Sequence, residues 1–598
     1  MAKRETSEQV RRFGPMSFLL VAAAIAFIVL PSTLTLPNPS PTSQEEIAPV
    51  PPTQSKINPP VSNFTNLNSG TTGNGLGDGG GGGNEPAPLP PPPKLPNGVG
   101  GTLPPTYECV AGRQTEDPLS PTCVPFYEGK NGGATYQGVT AKEVRIVMYF
   151  DAASTLNTSQ GTSTPPFDTI TDVDDPPKPR EHPSISTVRG WEKFFYKRYA
   201  AYNRKVHLFV QFGSANRSTA GTQTQDAAKA YTKVHPFAII NYISFGNGDY
   251  YNNYMAEHGV LIFGSVAVRS ASFYKQYGGK QWGYKPPFEY GAAQFANFVC
   301  KSLKGKPTDD VGAGSLSIAN NTPRKYGLLY TTDKGFPGIT DEALLAKDLI
   351  KKQCGIETFD QHYAVNGFAI DAGTTPDYAV NIANAFRDKG VTTVLWPAGF
   401  EVKISGAMGD IHYYPEFITG DDDQQTSING TSYQDQTVWA HAWNVTSQTL
   451  DPAPNLRICA QEYRTVDQDS PAADVQQFAC DYYNDLRMLY TGIQVAGPNL
   501  TPASIDQGYH AIPVVESTNP QVPTCYYLAG DYTCVKDSAI QHWDSAAQAP
   551  SSSKPGCWRM YGGGKRFLPG KFPSLNLADM KNAGDVCNNF SISASIQP

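Results

Sequence analysis

A surplus of basic charge is missing from this chain. Lys and Arg total 47 against 54 Asp and Glu, a formal net charge of −7. Phosphate binding needs a concentrated cationic face, so nucleic acid is excluded as the main partner. A second long apolar run is also missing, which excludes a polytopic membrane protein. The signatures G-x-S-x-G, H-E-x-x-H and G-x-x-x-x-G-K-[ST] are absent. There is no C-x-x-C, and histidines such as His235 and His258 stand far apart, so no zinc site is indicated. The alternation Gly73, Gly75, Gly77 lies where neither strand nor helix flanks it. The acidic runs Asp172, Asp174, Asp175 and Asp421–Asp423 lack EF-hand spacing and read as solvated loops. The chain thus calls for no metal, no cofactor and no catalytic residue, and reads as a non-enzyme.

What is present begins with one apolar run, Met16–Leu30, extended by PSTLTL to Leu36. It approaches the ~20 residues that span a bilayer. Lys3, Arg4, Arg11 and Arg12 precede it, a bias that keeps the N-terminus cytoplasmic and sends the rest outward. The expectation is a signal-anchor: 1–12 cytoplasmic, 13–36 transmembrane, the remainder extracellular. A cleaved signal peptide is the competing reading. No clear small-x-small site follows the run, and the first cysteine is Cys109, too late to accept a lipid. Residues 37–104 follow as a linker. PAPLPPPPKLP favours polyproline II, GLGDGGGGGN favours coil, and Phe64 is the one aromatic, so no core can form there. As a pure coil it would span about 45 Å.

All ten cysteines, at 109, 123, 300, 354, 459, 480, 525, 534, 557 and 587, lie on the predicted outer side. An even number in an exported chain points to disulfides. Sequence leaves the connectivity open; the simplest pairing joins neighbours, Cys109–Cys123, Cys300–Cys354, Cys459–Cys480, Cys525–Cys534 and Cys557–Cys587.

From Val139 short apolar strands alternate with amphipathic helices. VRIVMYF (144–150), VHLFVQF (206–212), FAIINYI (237–243) and 260–263 read as strands. Ser184 would cap a helix to about Tyr202 that presents Val188, Trp191, Phe194, Phe195 and Tyr199 on one face. Helices are expected at 223–233 and 249–258. The rhythm then restarts: helices at 288–303, 340–353, 377–389 and 401–410, strands at 326–330, 356–363, 391–396 and 416–419. A βαβα succession implies a parallel sheet covered on both faces, and two series of this size suggest two similar lobes. Helical stretches follow at 472–490 and 502–509, then a strand-like, disulfide-rich tail at 526–535 and 557–567.

The chain from about Cys109 onward resembles the type I periplasmic-binding-protein fold, in particular the Leu/Ile/Val-binding-like solute receptors of ABC importers. The residues that carry the likeness are NGGATYQGVTAKEVRIVMYF, RKYGLLYTTDKGFPG, LTPASIDQG and YTCVKDSAIQHWD…CWRMYGGGKRF. The opening and closing segments look like those of actinobacterial members. The resemblance covers about four-fifths of the chain and is one of pattern, without a single diagnostic motif. It implies an α/β architecture of two Rossmann-like lobes joined by three crossovers. Lobe 1 would be 139–285 with 446–520, and lobe 2 would be 286–445 with 521–598, after a disulfide-containing segment 105–138. It implies a protein that clamps a small polar metabolite, amino-acid- or amide-like, for an ABC permease. The alternative is a sensor or surface interaction protein on the same scaffold. A polar insertion, about Ala153–Pro183, departs from the family pattern near the expected cleft.

In open parallel sheets ligands lie beyond the carboxyl ends of the strands, beside helix N-termini. The candidates in lobe 1 are therefore Asp151 and Ser154, then Ser244, Phe245 and Asn247, then Ser265 and Arg269. In lobe 2 they are Thr332, Asp333 and Phe336, then Trp396, Ala398 and Glu401. Each has a plainer reading. Ser244, Asn247 and Asp333 would cap a helix or turn, Arg269 would form a surface salt bridge, Trp396 would pack between lobes, and Glu401 would be a solvated helix-start carboxylate. DYYNNYM reads as helix packing.

Overall fold

A computed structural model describes Cys109–Val110, Arg113–Gln114 and most of 127–588. The undescribed stretches within it include 151–166, 215–218, 243–248, 265–268, 400–402, 422–426, 469–479 and 550–553. All described residues belong to one compact unit, Leu89–Pro598. The expected anchor 13–36 and linker 37–104 lie outside the described residues. Among the described ones no helix is long and apolar enough to cross a membrane.

A two-residue hairpin, β1 (Cys109–Val110) with β2 (Arg113–Gln114), comes first. The first sheet is built on β3 (Glu143–Phe150). Its outer neighbours are β5 (Lys205–Phe212), then β4 (Thr169–Asp172) on one side, and β6 (Ala238–Tyr242), β7 (Leu261–Phe263) and β8 (Gln281–Trp282) on the other. All pairs but one are parallel. Helices cover both faces, so the central strands can be apolar throughout rather than alternating; Ile146, Val147, Met148 and Tyr149 are all buried. The exception is β4, antiparallel to β5. It comes from the polar insertion, which sequence reading left without a strand; four residues of mixed polarity are enough on an edge where only one side is paired.

The second sheet contains β9 (Tyr326–Asp333), β10 (Thr358–Asn366), the short β11 (Ala369–Ile370), β12 (Thr393–Trp396), β13 (Glu416–Thr419) and β14 (Ala442–Thr446). The strands β10, β9, β12, β13 and β14 are parallel in that order. The sheet then continues antiparallel through β15 (Ser538–Asp544), β16 (Cys557–Met560) and β18 (Val586–Asn588), with β17 (Arg566–Phe567) also on β15. The halves are therefore less alike than the repeated rhythm suggests. The tail strand also lies later than expected: 526–535 is a loop closed by Cys525–Cys534, with two isolated bridges, Cys525 to Val535 and Thr533 to Gly283. SAIQHWD forms the strand instead.

Local chemistry sets the helix ends. The helix Pro183–Arg198 starts with proline at its first turn, and its cap is His182, whose Nδ1 accepts from Ser184 N; Ser184 is inside the helix rather than its cap. Proline there loses nothing, because that N–H has no intrahelical partner. Capping boxes start Ala220–Val234 (Thr219 with Thr222) and Pro502–His510 (Thr501 with Ser504). Gly355, at φ +67°, ends Pro337–Cys354 in the left-handed conformation that glycine adopts without strain.

The chain passes three times between the halves. Between β8 and the helix Phe288–Ser302 it leaves the first core for the second. After β14 it returns, and the helices Ile458–Arg464, Tyr483–Ala496 and Pro502–His510 pack into the first core. Between Pro502–His510 and β15 it crosses again, because β15 belongs to the second sheet. Four disulfides join Cys300–Cys354, Cys459–Cys480, Cys525–Cys534 and Cys557–Cys587. The first ties the ends of two packed helices and the last joins β16 to β18. Cys123, and with it the pairing proposed for Cys109, lies outside the described residues.

Candidate functional site

In the second half, β9 and β12 are adjacent and parallel, and β9 runs on to Asp333 beyond the last residue of β12, Trp396. Past β9, the Asp333 Oδ1 accepts from Gly335 N at 2.7 Å and Phe336 N at 3.1 Å, closing a tight turn. Thr340 ties this turn to the strand, receiving from Asp333 N and donating to Thr331 O. Asp333 is thus engaged by its own turn, and Thr332 Oγ1 donates to Tyr363 O at 3.3 Å, back into the sheet. Phe336 and Ala398 meet with Ile339 in a small buried apolar cluster. Trp396 packs edge-on against Phe417 within its own lobe, and its Nε1 is buried without a hydrogen-bond partner. Trp439 Nε1, in the same core cluster, is buried without a partner too. Gly399 lies beside it: at φ +132°, a Cβ there would come 2.4 Å from Thr331 Oγ1 and 2.8 Å from Trp396 Nε1. The structure thus gathers Thr332, Asp333, Phe336, Trp396 and Ala398 at one end of the sheet, while Glu401 lies outside the described residues.

In the first half, Asp151, Ser154, Ser244, Phe245, Asn247 and Ser265 all lie outside the described residues. Arg269 is described. It is 9% exposed, donates to Asp249 Oδ1 at 2.6 Å and lies over the Phe273 ring. The salt bridge of the plainer reading is present, with the Arg269 side chain buried and Asp249 24% exposed. Burial raises the Asp249 carboxyl, and Arg269 opposes the shift without cancelling it. Arg269 therefore anchors the first turn of the helix Asp249–Glu257. Behind the strand ends a buried network links Tyr149, Asp226, Gln211 and Tyr251: Tyr149 donates to Asp226, Gln211 to Asp226 O and Tyr251 to Gln211. Tyr149 and Tyr251 stack with centroids 4.1 Å apart. The inward tyrosine of DYYNNYM is thus spent on packing.

One charged residue that sequence reading missed stands where the halves join. Asp485, in the first turn of Tyr483–Ala496, is partly exposed, yet burial pushes its carboxyl up to about 7, with Lys285 opposing. Its carboxylate lies over Gly264, the residue that closes β7, where a Cβ would come 2.9 Å from Oδ2. Tyr284, on the segment joining the lobes, feels the charges of Asp485 and Arg487 from one half and of Asp537 and Arg566 from the other. In sequence, an aspartate in a first helical turn is ordinary, so nothing marked it.

Another grouping joins the insertion to the sheet. Asp172, Asp174 and His207 bring candidate ligand atoms within 4.8 Å of one another. His207 Nε2 is 2.8 Å from Asp172 Oδ1, its Nδ1 is 3.0 Å from Glu143 Oε2, and Lys205 pairs with Asp174. Asp172 and Asp174 are thus partnered by His207 and Lys205 and are not simply solvated loop residues; the cluster fastens β4 to β5 by charge.

No known family profile matches the sequence, and no curated protein matches it. The fold is similar to those of solved solute-binding proteins. An ABC transporter substrate-binding protein from Desulfitobacterium hafniense is 12% identical, with 67% of this chain and 97% of that one covered at a TM-score of 0.43. A solute-binding protein from R. palustris in complex with 4-hydroxybenzoate is 10% identical, with 73% and 100% covered at 0.46. A leucine-binding protein from Thermotoga maritima is 12% identical, with 73% and 99% covered at 0.41. At such scores the likeness carries no weight for function, which rests on the geometry of this chain.

Proposed function

We propose that this chain is a membrane-tethered, extracytoplasmic solute-binding protein whose two lobes close on a small polar metabolite and hand it to an ABC permease. One observation carries the reading. The chain exchanges three times between two α/β halves, and the carboxyl ends of the strands leave polar groups without partners, Trp396 Nε1 in one half and Asp485 in the other. Three thin connections between separately packed cores are the mechanical requirement for hinge closure. A site built in this way binds by orientation and desolvation and needs no covalent step.

The test is a thermal-shift screen of the purified full chain against amino acids, amides and small organic acids. A ligand that binds only the folded state adds about 2.7 kcal/mol at a hundredfold excess over its Kd. Small-angle scattering with and without the hit then measures compaction. A broad panel without a stabilising solute, or a hit that leaves the scattering profile unchanged, would overturn the reading. Tethering through 13–36 is checked separately by truncation after residue 36, which should move the protein from the membrane to the soluble fraction.

A further inference from the structure

We infer that Arg566 is the pin of the hinge: it binds the second and third crossovers into one element and so sets how far the two lobes open. This rests on the clamp reading above and names what governs its motion. Arg566 lies on β17, in the tail that follows β15. Its side chain is 4% exposed and grips two connections at once. Nη2 donates to Ser447 O at 2.6 Å and Nη1 donates to Gln448 O, both on the second crossover, which follows β14. Nε donates to Asp537 Oδ1 at 2.7 Å, and Nη2 also donates to Asp537 O at 3.0 Å, both on the third crossover, which leads into β15. The Asp537 side chain is 2% exposed, and its other oxygen accepts from Thr524 N at 2.9 Å, earlier on the same crossover. A single planar fork thus joins two segments by charge-assisted bonds, the strong kind.

The surroundings repeat the arrangement. Leu450 N of the second crossover donates to Pro520 O of the third at 2.9 Å. Gly564, two residues before Arg566, has φ +96°, and a Cβ there would come 2.8 Å from Pro520 Cβ and 3.2 Å from Leu450 Cβ, so the tail lies directly on that joint. On β18, Asn588 Oδ1 accepts from Asp451 N at 2.6 Å. The first crossover is joined to the third by backbone alone: Gly283 N donates to Tyr532 O and Cys534 N to Gly283 O, each at 2.9 Å, and Val535 N donates to Tyr284 O at 3.1 Å. Connections tied edge to edge bend together, which narrows the range of a hinge. The second crossover depends for this on the tail, and above all on the fork of Arg566. A lysine would keep the positive charge beside Asp537, but as a point charge on a flexible stem it does not span Ser447 O, Gln448 O and Asp537 together.

The experiment uses the ligand-free full chain, with spin labels on unnatural residues placed at Tyr196 in one lobe and Val380 in the other, positions that are 59% and 48% exposed. Pulsed dipolar spectroscopy gives the distribution of distances between the lobes. Hydrogen exchange reads the Leu450 amide, whose bond to Pro520 does not include Arg566. In Arg566→Gln the distance distribution should broaden, and the Leu450 amide should exchange about tenfold faster. Amides of β3 and β9 should stay within about twofold of wild type. Arg566→Lys should behave like Arg566→Gln, and it carries the test alone if the glutamine variant does not fold. Wild-type distances and Leu450 exchange in Arg566→Lys, or an equal acceleration of exchange throughout both cores, would overturn the pin. Either result leaves the clamp standing, because the solute screen and its compaction decide that reading. A screen without a hit removes the clamp whatever the spin labels report.

Discussion

Replacing Asp485 by asparagine should stabilise the ligand-free protein, and the gain should depend on pH in a way that the structure dictates. The carboxyl goes from 3.8, its ordinary value, to about 7 in the fold, because burial disfavours the charged form. Below pH 3.8 both folded and unfolded chains hold the proton, and the residue costs nothing. Between 3.8 and about 7 the unfolded chain has released it and the folded one has not, so folding becomes less favourable as pH rises. Above 7 the cost is complete and constant. Three pH units at about 1.36 kcal/mol each set an upper bound near 4 kcal/mol. Because water still reaches the group, about 2 kcal/mol is the expected value after screening. Urea unfolding of wild type and D485N at pH 4 and pH 8 reads this out. The curves should nearly coincide at pH 4, and at pH 8 the variant should be the more stable. Equal offsets at both pH values, or a less stable variant at pH 8, would refute the desolvation of the Asp485 carboxyl.

Other outcomes follow from named contacts. Glu416 is fully buried, and its carboxylate receives Arg324 Nε at 2.7 Å, Thr393 Oγ1 at 2.6 Å and the backbone N–H of Asp309 at 3.0 Å. Glu416→Ala should cost about 3–5 kcal/mol by chemical denaturation, because it leaves the buried Arg324 guanidinium with Asp309 as its remaining counter-charge and takes the acceptor from Thr393 Oγ1 and Asp309 N; a loss under about 1 kcal/mol would mean that the pair is idle. Burial pulls the His207 imidazole down, but hydrogen bonds to Asp172 and Glu143 more than restore it, so its pKa is raised. The stability it lends is complete below about 6.5 and fades as pH rises through the raised value. His207→Gln should therefore destabilise by about 1 kcal/mol at pH 6 and by less at pH 9, and an effect that grows toward pH 9 would contradict the assignment. Gly399→Ala forces a Cβ onto Thr331 and Trp396 at φ +132°. It should cost about 1–3 kcal/mol, seen as a lower melting temperature, and an unchanged melt would show that the strand end yields. Cys525→Ser with Cys534→Ser opens a loop of sequence separation 9. The loss should be about 3 kcal/mol in the chain-entropy view, and denaturation of the double variant measures it.

Most elements of the two cores were legible because parallel strands buried on both faces write unbroken apolar runs such as VRIVMYF, and their covering helices write a 3.6-residue period. Strand ends also marked Thr332, Asp333, Phe336, Trp396 and Ala398 as neighbours. What they do there was not legible. Whether Asp333 serves a ligand or its own turn depends on which N–H groups stand within 3 Å, and Gly335 and Phe336 supply them. The strand β4 escaped notice because an edge strand needs neither alternation nor a long apolar run.

Sequence by itself determined the α/β class, the acidic balance and most strands and helices of the two cores, because each follows from local periodicity and side-chain chemistry. Tertiary structure alone decided that β15 joins the second sheet antiparallel and that Asp485 comes to lie over Gly264. Those facts turn on contacts between residues far apart in the chain. Local patterning cannot encode the water that a distant segment removes, and it is this loss of water that changes the proton affinity of Asp485.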